Sequence, residues 1–214
     1  MKQYDLIYIL GVTAFCLFVV FFAWRLLSRR QSIPCPTWLG WLVEVDNPFS
    51  TINRAATIVE NSGIHQNMVV LDAGCGPGRV TLPVARKVGP LGEVVAMDMQ
   101  MGMLNRTQKK AESEKLTNIS YLHAGLGEKK LECNKYDRVL LVTVLGEIPN
   151  REDALKEIFA ALKPDGILSI TEIIFDPHFQ RRSTALRIAE SVGFREAKRF
   201  GNCISYTLNL EKSR

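Results

Sequence analysis

The chain has 214 residues, 47% apolar and 23% charged, with a formal charge of +5. These values exclude a disordered chain and a multi-spanning membrane protein, and they suit one globular domain of ordinary size with an appendage. The charge excess is too small to indicate nucleic acid by itself; an anionic ligand or membrane surface accounts for it equally well.

The first predicted element is apolar. Leu6 to Trp24 is an uncharged run of nineteen residues, which reaches about 28 Å as a helix, close to the hydrocarbon thickness. Tyr8 and Trp24 stand near its ends, where amphipathic rings settle at an interface. A cleaved signal peptide fits less well: Lys2 is offset by Asp5, and no small-x-small site follows. Residues 1–30 are therefore expected to form a single transmembrane anchor. Arg25, Arg29 and Arg30 against Lys2 place the following domain in the cytoplasm by the positive-inside rule. Residues 31–49 read as a linker broken by Pro34 and Pro36. Its Trp38, Leu39, Trp41 and Leu42 either lie in the headgroup region, where they could cover a substrate entrance, or pack on the domain.

Residues 50–214 alternate helices with short apolar strands. Ser50 is placed to cap a helix reaching about Ser62. Strands are expected at Met68–Asp72, Glu93–Asp98, Ile119–His123, Asp137–Val144 and Ile167–Glu172, with two more near Glu196–Phe200 and Ile204–Leu210. Intervening helices are expected at about Arg79–Val88, to about Lys115, at Arg151–Leu162 and at Gln180–Val192. Lys163-Pro164-Asp165-Gly166 reads as a turn. The alternation predicts an α/β fold, a mainly parallel sheet with helices on both faces. In such sheets ligands lie beyond the carboxyl ends of the strands, so Asp72, Asp98, Thr143 and Glu172 are predicted around one crevice.

The most informative stretch is Val70-Leu-Asp-Ala-Gly-Cys-Gly-Pro-Gly78. Gly74, Gly76 and Gly78 permit a tight turn and close approach of a ligand, and the helix that follows offers N–H groups to a carboxylate. The spacing is GxGxG with Arg79 next, neither the dinucleotide GxGxxG nor a Walker loop. Cys75 reads as a small residue tolerated in the loop rather than a reactive thiol. The five scattered cysteines show neither CxxC nor zinc spacing, so no metal site is expected and a reducing compartment fits.

VLDAGCGPG resembles the first motif of class I S-adenosylmethionine-dependent methyltransferases. Glu93–Asp98 is similar to the second motif, with its terminal acid 24 residues after Gly74, and Leu162-Lys-Pro-Asp-Gly-Ile167 to the turn before the fifth strand. The resemblance covers residues 50–210 and implies a Rossmann-like seven-stranded sheet and S-adenosylmethionine as cofactor. It implies that the methionine end lies on Asp72, Ala73, Gly74, Cys75, Gly76 and Gly78, the ribose on Asp98, and the adenine near Met99, Gly125 and Leu126, with Thr143 beside them. One departure stands out. Gly125 occupies the place where the family usually carries an acid facing the adenine amine; either Glu128 substitutes for it or backbone and apolar contacts alone hold the adenine.

Within the family the tone is that of the quinone-biosynthesis and small-lipid methyltransferases, and the run Leu145-Gly-Glu-Ile-Pro-Asn150 is similar to their pattern. That implies a hydrophobic small-molecule or lipid acceptor, a quinone precursor or a phospholipid head group, met at the membrane. Nucleic acid is disfavoured because the fourth strand leads into LGEIPN rather than an Asp/Asn-Pro-Pro-aromatic turn. Glu147 and His178 are the candidate acceptor-side catalytic residues; equally, Glu147 could cap the next helix and His178 could anchor its loop. A protein acceptor, or a non-catalytic membrane protein on the same fold, remains the alternative.

Overall fold

The computed structural model describes residues 50–213, residues 44 and 46, and residues 8–20 except 14 and 17. Residues 8–20 are helical where described and expose their apolar side chains, Phe15 at 67% and Phe18 at 63%. Among the described residues no helix is long and apolar enough to cross a membrane. The expected transmembrane helix is therefore not found among them. Both ends of the run Leu6 to Trp24, the arginines after it and the linker's aromatic residues lie outside the described residues.

The domain is a seven-stranded sheet: β1 Val69–Ala73, β2 Glu93–Asp98, β3 Ile119–His123, β4 Tyr136–Val142, β5 Leu162–Ile173, β6 Phe194–Gly201 and β7 Ser205–Lys212. Its order is β3-β2-β1-β4-β5-β7-β6. The strands from β3 through β5 pair in parallel, while β7 runs antiparallel to both β5 and β6. Five helices connect them: α1 Ala55–Asn61, α2 Thr81–Val88, α3 Met101–Ser113, α4 Arg151–Ala161 and α5 Arg182–Val192.

Alternation along the strands sorts the core into two layers, as a period of two requires. Val70, Val94 and Leu140 face α1 and α2, meeting Ile58, Val84 and Val88. Their neighbours Leu71, Val95, Val139 and Leu141 face the other way, packing with Leu155 and Ile158 of α4 and Ala185 and Ala189 of α5. Both faces are thus covered, which is why these strands read as nearly continuous apolar runs. α4 is capped by the Asn150 side chain, which accepts the Asp153 N–H at 3.2 Å. α5 stops at Gly193, whose left-handed φ of 106° closes the last turn.

Three local expectations need correction. Ser50 does not cap the first helix. Its hydroxyl accepts the Asn53 N–H at 3.4 Å and pairs with Ser205 Oγ at 2.7 Å, but residues 51–54 form a turn and α1 starts five residues later at Ala55, whose N–H goes to Asp46 Oδ1 at 3.0 Å. Arg79 and Val80 belong to the turn before α2, not to the helix. The Lys163–Gly166 stretch does not separate helix from strand but lies inside β5. Pairing with β4 jumps from Tyr136↔Leu162 to Arg138↔Ile167, so the extra residues bulge from the ladder.

Candidate active site

The strand order reverses between β1 and β4, and a cavity of about 380 Å³ opens there at the carboxyl ends of β1, β2 and β4. That volume is within the usual range for small-molecule sites, about 300–1,000 Å³.

The glycine loop forms one wall. Gly74 and Cys75 donate their N–H groups to Met97 O at 2.8 and 2.9 Å, and Gly78 donates to Cys75 O at 3.1 Å. Gly76 donates to Asp98 Oδ2 at 2.9 Å. The glycines differ in what they permit. A Cβ on Gly74 would stand 2.5 Å from Val144 Cγ2, and one on Gly78 would stand 2.7 Å from Leu82 Cδ1. A Cβ on Gly76 would meet nothing within 4 Å, so that position leaves the loop open for a ligand. The loop's N–H groups at 74, 75, 76 and 78 are thus spent internally, and the Leu82 N–H at the start of α2 turns back to Gly78 O at 3.2 Å.

Asp98 ends β2 and is nearly buried. Its Oδ1 accepts the Gln100 N–H at 2.8 Å while Oδ2 holds Gly76. Burial raises its pKa, and those two N–H groups pull it back. Each oxygen keeps lone-pair capacity for a further donor, the pattern a vicinal diol can use. Asp72 lines the same cavity and accepts the Thr81 hydroxyl at 2.6 Å. Burial lifts it to about 6, against a smaller pull downward from Thr81 and Arg79. A carboxyl raised in the fold binds its proton more tightly folded than unfolded, so it favours the fold below its unfolded pKa and costs stability as pH rises toward about 6. Melting temperatures of Asp72→Asn and wild type should therefore move relative to each other in the variant's favour from pH 4 to 6, then run parallel. An unchanged offset across that window would remove Asp72 as the cause. Cys75 is buried, with its thiol pushed well above the ordinary range by desolvation and by the charges of Asp72 and Asp98, which fits an inert residue.

Thr143 also lines the cavity and carries a rare conformation, φ 56°, just past β4. Its N–H is held by Thr171 O at 2.8 Å and its hydroxyl by Val142 O at 2.7 Å. Non-glycine residues rarely take this region unless the surroundings enforce it, and such strain gathers at functional sites. Met99, Leu126 and Gly125 line the end beyond β2. A Cβ on Gly125 would fall 2.9 Å from Glu128 Oε1, so the Glu128 carboxylate lies where a side chain at 125 would project. Ala73 packs into the core and does not line the cavity.

Glu147 forms the opposite wall. Arg151 fastens its loop, donating to Leu145 O at 2.9 Å and Gly146 O at 3.0 Å. His178 stands behind it, 3% exposed, with Nδ1 at 3.6 Å from Glu147 Oε1 and 3.9 Å from Asp176 Oδ1. It does not line the cavity. Glu172 is separated from the crevice predicted for it. It is buried behind the wall, accepting the Gln180 N–H at 3.0 Å, and desolvation pushes its carboxyl well up. Sequence reading did not place Arg79, Gln100, Met97 or Met103 in the site, although all line it. Arg79 follows the glycine motif directly, which was the available signal; the others come from strand ends and helix faces.

The fit to S-adenosylmethionine can be read from these groups. The Gly76 opening, the Asp98 carboxylate with spare acceptor capacity, and an acid beside Gly125 all border one cavity, and their chemistry suits the methionine, ribose and adenine parts. A family model described as a methyltransferase domain matches residues 64–205.

The chain belongs to the methyltransferase domain family.

Membership bears out the enzyme class expected from the motifs, and S-adenosylmethionine as its cofactor. Among solved structures, this methyltransferase is similar to an S-adenosylmethionine-dependent methyltransferase from Aquifex aeolicus, with TM-score 0.73 at 20% identity, covering 83% of this chain and 98% of that one. A TehB-like methyltransferase from Corynebacterium glutamicum aligns with TM-score 0.63 at 17% identity, covering 82% and 94%. The [4+2]-cyclase SpnF aligns with TM-score 0.65 at 15% identity, covering 74% and 79%. Identities this low establish the shared fold alone, and the cyclase shows how far chemistry varies on it. In sequence, the demethylmenaquinone methyltransferase of Staphylococcus aureus is 31% identical over 115 residues, 54% of this chain and 47% of that protein. The methyltransferase spans about half the length of the curated relatives it matches.

Proposed function

We propose that this enzyme transfers a methyl group from S-adenosylmethionine to a hydrophobic small-molecule or lipid acceptor, a quinone precursor or a phospholipid head group, at a membrane surface. The observation that carries the proposal is the shape of one cavity: the glycine loop and Asp98 at one end, Glu147 at the other, and Met97, Met103, Val142, Val144 and Ile148 between them. When bound, S-adenosylmethionine supplies a methyl group on a sulfonium, already a good electrophile. The chain's own contribution is to hold an acceptor in line and keep water away, which the apolar wall supports. Glu147 takes the proton from an acceptor oxygen or nitrogen that must lose one, and His178 orients Glu147 from behind.

The relative from Staphylococcus aureus supports a quinone-type acceptor. The exposed apolar side chains described between residues 8 and 20 and the arginines at 25, 29 and 30 support attachment to a membrane with the domain, residues 50–214, on its cytoplasmic side. Incubating the full chain and labelled S-adenosylmethionine with membrane extracts tests the reading. Label is expected in the extractable lipid and quinone fraction. Label in protein would move the acceptor to a polypeptide, and cofactor binding with no labelled product would favour the non-catalytic alternative.

Glu128 is assigned the adenine amine in place of residue 125. Glu128→Gln should weaken cofactor binding about three- to tenfold, the range of one charge-assisted hydrogen bond in a partly wet site. Discrimination between S-adenosyl- and S-inosylhomocysteine in calorimetry should narrow with it. Equal discrimination in variant and wild type would leave adenine recognition to the backbone.

A further inference from the structure

Two acids from the end of the linker reach the cofactor loop. Glu44 Oε1 lies 2.9 Å from Lys110 Nζ and 3.8 Å from Arg106 Nη1, both on α3. The same Lys110 Nζ donates to Pro77 O at 2.9 Å, so one ammonium joins the linker to the middle of the glycine loop. Asp46 Oδ1 accepts Arg79 Nη1 at 2.9 Å and the Ala55 N–H at 3.0 Å. Arg79 follows Gly78 directly, lines the cavity, and reaches Asn53 with both terminal nitrogens; its side chain is only 13% exposed. On the inner side, the Thr107 hydroxyl donates to Gly76 O at 2.9 Å. Gly76, Pro77 and Arg79 are thus each held from outside the loop, the last two by groups that answer to the linker.

We propose that Glu44 and Asp46 are positioning residues for the cofactor loop, acting through Lys110 and Arg79. The inference rests on the cofactor reading above. A segment with glycines at 74, 76 and 78 has much backbone freedom to lose, and freedom lost only on binding is subtracted from affinity. Fixing the loop beforehand removes that cost. The acids serve a second purpose. Three cations, Arg79, Arg106 and Lys110, crowd this side of the loop, and two carboxylates offset most of that charge beside a site meant for a cationic sulfonium. Partly exposed ion pairs of this kind contribute little to global stability. A structural role and a positioning role therefore separate: the first would appear in the melting temperature, the second in cofactor affinity.

The test uses the full chain, solubilised with detergent where required, with S-adenosylmethionine and S-adenosylhomocysteine as probes in calorimetry. The double variant Glu44→Gln/Asp46→Asn is expected to bind both five- to tenfold more weakly. Its melting temperature should stay within about 3 °C of wild type. Asp46→Glu, which keeps the charge, should recover most of the Asp46 share. Glu44→Gln alone leaves the Ala55 contact in place and should still cost two- to threefold. Wild-type affinity in the double variant overturns the proposal, as does an affinity loss matched by a collapse in melting temperature in Glu44→Gln. A wild-type chain that binds neither nucleoside instead overturns the cofactor reading and this inference with it.

Discussion

Asp98→Ala should reduce S-adenosylmethionine affinity roughly a hundredfold, about 3 kcal/mol. Two losses combine. The ribose hydroxyls lose an ionised acceptor, and hydrogen bonds to charged groups are worth about 1.5–3 kcal/mol. In addition, the Gly76 and Gln100 N–H groups, at 2.9 and 2.8 Å from the carboxylate, lose their partner, so the loop is less ordered before the ligand arrives. That second part also appears without ligand, as a fall in melting temperature of a few degrees. Asp98→Asn is nearly as harmful, since an amide presents an NH₂ where at least one backbone N–H needs an acceptor. Calorimetry against both S-adenosylmethionine and S-adenosylhomocysteine checks the assignment. A variant that melts earlier yet binds both with wild-type affinity would leave Asp98 as a loop staple only.

The two carboxylates beside the glycine loop are legible in the sequence because each stands at or next to the end of an apolar strand. Both β2 and β3 run over the residues expected, Glu93–Asp98 and Ile119–His123. In those strands local pattern and tertiary environment agree. Two of the misreadings have one cause, a partner farther along the chain. Ser50 has the chemistry of a helix cap and does accept the Asn53 N–H, but Ser205, 155 residues on, also holds its hydroxyl, and the segment it caps is a turn before α1. Lys163-Pro-Asp-Gly has the composition of a turn, but Lys163 Nζ reaches Asp137 at 2.8 Å and the segment stays within β5. Glu172 sits at a strand end like Asp72 and Asp98, yet on β5 it turns to the Gln180 N–H instead of the crevice. The acids at 44 and 46 carry no motif at all, since only the folded chain brings α3 and Arg79 to them.

The site divides into two ends whose supports largely differ, meeting where Val144 packs on Gly74, and that division makes the proposed acceptor end separately testable. The cofactor end hangs on β1, β2 and α3. The acceptor end hangs on the loop after β4, pressed against the segment after β5 at Gly146. A Cβ built on Gly146 would stand 1.9 Å from His178 O and 2.7 Å from His178 C. These are backbone atoms, so no side chain can swing aside. Gly146→Ala must instead part the two segments by over an ångström, carrying Glu147 with it and straining the Arg151 bond to Gly146 O, 3.0 Å in the native loop. Forcing a methyl into such packing costs about 1–3 kcal/mol of stability, a fall of roughly 2–12 °C in melting temperature for a domain of this size. The effect on turnover should be larger, ten- to a hundredfold, because displacements near 1 Å at a reacting centre carry penalties of that order. Cofactor affinity should fall less than turnover, about threefold, since the displaced loop reaches the cofactor end through Val144 packed on Gly74, while the hydrogen bonds that hold the glycine loop and Asp98 come from other segments. Gly146→Ala losing cofactor binding and turnover in equal measure would show that the two ends act as one unit and that Glu147 has no separate part in handling the acceptor.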